Sequence, residues 1–366
     1  MLLSRSVRTS LAIVAVVAFA PTARAADPAA IRAAIAKASA FLAEKAQADD
    51  GSFSAEAGPA ITALAVTGLV RSGTPADAPV VKKGLAYLLS FRQPDGGIYQ
   101  PGSPVANYET SIAMLAFAAC NGQGAYTAEI KGAETFVRNL QWDGGEGKDK
   151  ADPAYGGAGY GKKSRPDLSN TQFLIEALRT IGASENDPAI QKALTFVSRT
   201  QNLVGPDNPT PFPEKNPDGG FYYTPAAGGE SQAGTLPNGG LRSYGSMTYA
   251  GLKSMIFAGL KQDDPRVKAA TEWLRKNYTF AENPGMGQAG LFYYFHTAAK
   301  SLDVLGEDTF TDAAGKPHDW RAELSDVLLA KQKPDGSWTN DNPRWMEDNP
   351  TLVTSYALLA LAYCLP

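Results

Sequence analysis

Four acidic positions and one histidine are the residues of this chain best suited to proton chemistry. Glu109, Asp167 and the neighbouring Glu347 and Asp348 each fall just before or within the first turn of an apolar, helix-periodic segment. Two carboxyls facing one cavity can act as general acid and base. The same placement also caps a helix and complements its dipole, so a purely structural role stands beside the chemical one. His296 opens another such segment amid Phe292, Tyr293, Tyr294 and Phe295. An imidazole titrates near neutrality and suits acid–base work in an aromatic pocket, or it is a buried, hydrogen-bonded core residue. Tyr108, Asn170, Tyr244, Met247 and Trp345 lie at matching places near the carboxylates. With Asp167 and Phe292 they are the candidate pocket residues. Aromatics of this kind suit cation stabilisation, sugar stacking or burial of an apolar ligand equally.

Other constellations are weaker. Gly156-x-x-x-x-Gly161-Lys162-Lys163 imitates a phosphate loop but lacks the following Ser or Thr and any preceding strand; it reads as a flexible Gly/Tyr loop. His318, in a polar stretch before Trp320, reads as surface. No spacing of Cys, His and acids forms a metal site, and no cofactor is implied.

The elements that position these residues come from an internal repeat. A helix, a Gln, an Asp-Gly turn closed by an aromatic or apolar residue, and a second helix recur six times. The turns are Gln47…Asp50-Gly51-Ser52-Phe53, Gln93…Asp95-Gly96-Gly97-Ile98, Gln141…Asp143-Gly144-Gly145, Gln201…Asp218-Gly219-Gly220-Phe221, a degenerate Gly290-Leu291-Phe292, and Gln332…Asp335-Gly336-Ser337-Trp338. The first two Gln-to-Gln spacings are 46 and 48 residues, a period that means stacked supersecondary units. Asp-Gly supplies the positive φ a tight turn needs. A helix pair cannot bury both faces alone, and six pairs can close a ring. The second helices, such as Ala60-Ile61-Thr62-Ala63-Leu64-Ala65, are the more apolar set and belong inside. Their alanine content favours a narrow centre. The long stretches 143–168 and 202–243 fall on one rim, where a lid would sit.

The repeat, clearest at Lys83 to Tyr99 and Leu328 to Trp338, resembles that of squalene-hopene cyclases, oxidosqualene cyclases and protein prenyltransferase β subunits. More narrowly, Tyr155 to Gly161, Tyr244 to Tyr249, Asn283 to Gly287 and Phe292 to Thr297 are similar to segments of exported single-toroid prenyltransferase/squalene-oxidase-repeat proteins of bacteria. The resemblance implies an all-α (α/α)6 toroid over residues 26–366 and a polyisoprenoid or other apolar ligand. It implies no catalytic residue, because the chain departs from each catalytic pattern. Asp49-Asp50 and Asp263-Asp264 are not the Asp-x-Asp-Asp of squalene cyclases, Asp-Asp-x-x-Asp is absent, and the cysteines stand at helix ends, away from a zinc site of the prenyltransferase kind.

Residues 1–25 read as a secretory signal: Arg5 and Arg8, an apolar run from Leu11 to Ala20, and Ala23-Arg24-Ala25 before the cleavage point. The chain is therefore expected outside the cytoplasm, with no transmembrane segment once the signal is removed. The remainder carries 31 basic and 37 acidic residues, a net charge of −6, which argues against nucleic-acid partners. Cys120 and Cys364 end second helices two repeats apart across the ring closure, beyond disulfide reach, and are expected as buried free thiols. Three functions fit: an isoprenoid-binding or terpene cyclase-like toroid, a non-catalytic interaction scaffold, and a carbohydrate-active lyase or hydrolase on an (α/α)6 toroid.

Overall fold

The computed structural model describes residues 27–162 and 164–365. The signal-peptide reading of residues 1–25 lies outside them. Twelve α-helices alternate along the described chain: α1 (Pro28–Phe41), α2 (Pro59–Arg71), α3 (Pro79–Leu89), α4 (Ala106–Ala119), α5 (Thr127–Arg138), α6 (Leu168–Thr180), α7 (Pro188–Arg199), α8 (Gly245–Phe257), α9 (Pro265–Lys276), α10 (Leu291–Leu305), α11 (Trp320–Lys331) and α12 (Pro350–Ala362). The even-numbered helices pack on one another in order, and α12 returns onto α2, closing an inner ring. The odd-numbered helices form the outer layer. α3 bridges α2 and α4, α7 bridges α6 and α8, and α11 bridges α10 and α12. This is the (α/α)6 toroid expected from six repeats. No described helix is long and apolar enough to cross a membrane.

The two layers follow from their sequences. α2 is buried continuously from Pro59 to Leu69 and α12 from Thr351 to Leu361, as a helix apolar on all sides requires. α7 buries one stripe, Ala189, Ile190, Ala193, Leu194 and Val197, at steps of one, three and four. Proline at the first turn with Asp27, Asp187, Asp264 or Asn349 as cap starts α1, α7, α9 and α12.

The repeated turn is the joint between units. Gln47 Nε2 donates to Gly51 O in its own turn and to Val80 O in the next outer helix, at 3.1 and 2.8 Å. Gln141 and Gln201 bridge the same way to Ala189 and Arg266. Gln332 reaches Ala34 at 2.9 Å, so the bond that links successive repeats also closes the ring onto α1. The turn glycine has to be glycine on two counts. Gly51 has φ 89°, and a Cβ there would lie 2.3 Å from Lys83 O; Gly336 has φ 93° and meets Lys37 O in the same manner. The Lys-Gly/Ala of α1, α3, α5, α7 and α9 is thus the seat of the preceding turn.

Repeat three departs from the sequence reading. Gln141 donates to Gly156 O, and Gly156, with φ 83°, packs on Lys192 O. Gly156-Gly157 is therefore the repeat turn, whereas Asp143-Gly144-Gly145 opens a short 3-10 turn capped by Asp143. The segment expected to be a flexible Gly/Tyr loop is held by this turn and by Asn107, whose amide donates to Gly159 O. His318 is also not on the surface: it is buried, with ring nitrogens 2.7 Å from Glu323 and 3.2 Å from Asp312. Both cysteines are free, at the ends of α4 and α12 with α2 between them, but Cys120 is only half-buried.

Candidate functional site

A threonine sets the register of the inner helices. Thr62, Thr110, Thr171, Thr248 and Thr354 each accept, through Oγ1, the backbone N–H of the residue closing their own turn: Phe53, Ile98, Ala158, Phe221 and Trp338. Each threonine therefore faces outward. At 3.6 residues per turn, two residues are about 200°, so the positions two before and two after face the ring centre. Those two before are Ala60, Tyr108, Ser169, Ser246 and Leu352. Phe173 and Tyr356 stand two after. All seven line one cavity.

That cavity has a volume of about 400 Å³ and lies at the N-terminal ends of all six inner helices. Tyr108 meets Phe173 edge to face at 5.5 Å, Phe173 is 6.4 Å from Tyr293, and Tyr293 meets Tyr356 at 5.9 Å, so the aromatic wall is continuous. Tyr160, Tyr223 and Gln232 enter from the two long loops, and Trp345 and Met346 from the segment before α12. Tyr160, Trp345 and Met346 are exposed and mark the mouth. Burial pushes the wall phenols up, Tyr108 to about 12, so they are neutral hydroxyls at any working pH. The rim loops also hold every non-glycine residue in the left-handed region among the described residues: Ser54, Ala227, Trp345 and Met346. Such strain is kept where the surrounding structure enforces it, commonly around binding sites.

The structure distributes the sequence-predicted residues unevenly. Tyr108, Tyr244, Met247, Trp345 and Glu347 line the cavity. Glu347 is also a cap delivered from another repeat. Its Oε1 accepts Tyr293 N–H at 2.8 Å, and its Oε2 accepts Phe292 N–H at 3.2 Å and the Asn340 amide at 2.7 Å. Burial raises its pKa against these bonds. Asp348 is exposed, so the two adjacent acids do not form a pair facing one site. Asp167 and Asn170 stand behind the wall. The carboxylate caps α6, accepting the Asn170 backbone and side-chain N–H groups at 2.8 Å each, and burial lifts it to about 6. Glu109 is buried beside Gly58, at the start of α2. Phe292 packs on Phe295 and does not reach the cavity.

His296 lies below the cavity floor, stacked on Tyr356 with ring centroids 5.9 Å apart. Burial holds the imidazole down at about 3, and its Nδ1 is buried without a hydrogen-bond partner. It is a neutral core group and not an acid–base residue, because burial outweighs the opposing pull of Glu176. Beneath the floor, Glu176 binds Lys253 at 2.6 Å and also Lys300, and all three are buried. Burial alone would push Glu176 up, but the two ammonium groups outweigh it and hold the carboxylate well below its usual range. Lys300 is pushed down by burial to about 7, with Glu176 pulling the other way. Arg71 bonds Tyr363 at 2.9 Å beside this cluster. The alanine-rich centre is thus filled in its lower half and open in its upper half.

Sequence reasoning missed Tyr160, Phe173, Tyr223, Tyr293 and Tyr356 as pocket residues, and the Glu176 cluster entirely. The threonine register was the available signal for two of the wall residues, Phe173 and Tyr356.

No family model matches the chain, and no curated protein matches its sequence. Solved structures do match its fold. A type II terpene cyclase, MstE from Scytonema, in complex with its product merosterolic acid A, is 15% identical over 92% of this chain and 98% of that one, with a TM-score of 0.56. The same cyclase in complex with its substrate, geranylgeranyl dihydroxybenzoate, aligns over the same shares at 14% identity and a TM-score of 0.53. A glycosidase variant in complex with glucose aligns over 92% of this chain and 97% of its own at 14% identity and a TM-score of 0.51. The chain shares its helical toroid with a terpene cyclase and with a glycosidase.

Proposed function

We propose that this protein is an exported terpenoid cyclase-like toroid that binds an isoprenoid or a comparable apolar molecule in the aromatic cavity. The observation that carries the reading is the cavity itself: about 400 Å³ and walled largely by apolar and phenolic side chains from all six inner helices. Its size falls within the range of about 300–1,000 Å³ that suits small-molecule sites. That the similarly folded MstE is known with a geranylgeranyl substrate and with its product supports the ligand class. The same cavity argues against a filled scaffold. It also argues against glycoside hydrolysis, which uses two carboxyls flanking one bond. Glu347 is the one carboxylate on the wall, and its oxygens are engaged with α10 and Asn340.

The test is direct. Protein purified from the exported fraction is extracted for lipid mass spectrometry, and geraniol binding is measured by calorimetry. Ala60→Phe places a ring into the cavity and is expected to weaken binding at least tenfold, with the melting temperature within a few degrees of the parent. Unchanged binding in that variant would remove the cavity from consideration. Export is checked separately: N-terminal sequencing of the exported form is expected to begin at Ala26.

A further inference from the structure

Glu347 places a buried carboxyl on a wall that offers it no opposite charge. It is 1% exposed, its three partners are two backbone N–H groups and a neutral amide, and no ion pair among the described residues includes it. A buried carboxylate is costly unless a cation is nearby. The N-terminus of α10, with about half a positive charge, offsets part of this cost. The remainder faces the cavity. Trp345, Tyr293, Tyr356 and Tyr108 present aromatic rings to that same space. Ring faces and an uncompensated carboxylate together are the recognition chemistry of an organic cation. The wall already shows this capacity, since the guanidinium of exposed Arg344 lies 4.2 Å from the Trp345 ring centroid.

We infer that the cavity selects an apolar molecule bearing an ammonium group, which sits between Glu347 and the aromatic wall. This rests on the cavity being the ligand site. Arg344 offers the competing chemistry, an anionic head at the mouth. It is already bonded to Gln232 at 2.6 Å, and it is not among the cavity-lining residues.

Three probes sharing one ten-carbon skeleton separate the possibilities: geranyltrimethylammonium, geraniol and geranate, each titrated calorimetrically into the full mature chain. The ammonium is expected to bind at least about tenfold more tightly than the alcohol, and the carboxylate most weakly. Glu347→Gln is expected to bring the ammonium to within about threefold of the alcohol and to leave the alcohol where it was. Because Gln also weakens the cap of α10, a melting curve accompanies it. Trp345→Leu is the second variant: it keeps apolar area, removes the ring face, and is expected to lower ammonium affinity severalfold more than alcohol affinity. Equal binding of ammonium and alcohol by the parent, a preference that survives in folded Glu347→Gln, or tightest binding of geranate each overturns the inference. If none of the three probes binds, the ligand-site reading falls with it.

Discussion

At the mouth of the ring Glu109, Asp167 and Glu347 are buried with no ion pair among the described residues, whereas below the cavity floor one carboxylate, Glu176, is shared by two buried lysines. All six inner helices run the same way, so their dipoles add: positive ends crowd the mouth and negative ends the base. Acids at the mouth and the cations Arg71, Lys253 and Lys300 towards the base answer that field. The difference lies in completion. The base pairs its carboxylate with two lysines and fills its space. The mouth leaves its carboxylates to helix ends and amides, leaves room for a ligand, and keeps four non-glycine residues in the left-handed region. The finished half holds the ring, and the unfinished half is where something else can bind.

The largest expected effect breaks the finished half. Glu176→Gln strands Lys253 and Lys300 in a buried site and is expected to lower stability by about 3–5 kcal/mol in urea denaturation. Glu347→Gln replaces one capping oxygen of α10 by an amide nitrogen and is expected to cost about 1–2 kcal/mol in the same assay. Equal losses would show that the two ends do not differ in the way argued.

The second effect concerns sign. Asp167 titrates near 6 in the folded chain against 3.8 ordinarily, with burial as the main cause. The folded state therefore holds the proton more tightly. The stabilisation from that proton is complete below 3.8 and is lost as pH rises through 6. Glu176 is shifted the other way, so its contribution is present above 4.5 and is lost only as pH falls through its depressed folded value. Between pH 7 and 4.5 acidification relieves Asp167 at the mouth, while His296 at the base, held down by burial to about 3, loses stability over the same interval because only the unfolded chain takes up its proton. Asp167→Asn keeps a capping side chain and is expected to remove about 2 kcal/mol of the stabilisation gained on acidification over that interval, leaving the loss due to His296. A variant curve parallel to the parent's would remove Asp167 as its source.

How far the sequence carried depended on whether a signal repeats. Gln47, Gly51 and their counterparts recur, so the toroid, its closure and the inner position of the apolar helices were readable. Repeat three misled because its Asp143-Gly144-Gly145 fits the pattern locally, while the seat on Lys192 is taken by Gly156, eleven residues after Gly145. The carboxylates were legible as groups near helix starts, since capping is local. Which of them reaches the cavity was not legible, because Glu347 belongs to one repeat and caps the helix of another. For His296 the sequence left a core histidine and an acid–base residue side by side, because its neighbours in sequence are aromatic while its neighbours in space include Glu176, Lys253 and Lys300.

The smallest expected effect tests whether the mouth is strained in fact. Met346, at φ 63°, follows Trp345, at φ 58°, and both are exposed side chains of the mouth. A left-handed backbone costs a residue with a Cβ about 1–2 kcal/mol, and glycine adopts it freely. Glycine also gains freedom in the unfolded chain, which returns part of that difference. The two contributions together predict that Met346→Gly raises stability by about 0.5–1 kcal/mol even though it deletes an apolar side chain. That side chain is 43% exposed, so little burial is lost with it. The same substitution at buried Met255, inside α8, is expected to lower stability by several kcal/mol, through the cavity it leaves and the glycine it introduces into a helix. A loss at Met346 would mean that the mouth is as well packed as the base, and that the left-handed turn stores nothing a ligand could exploit.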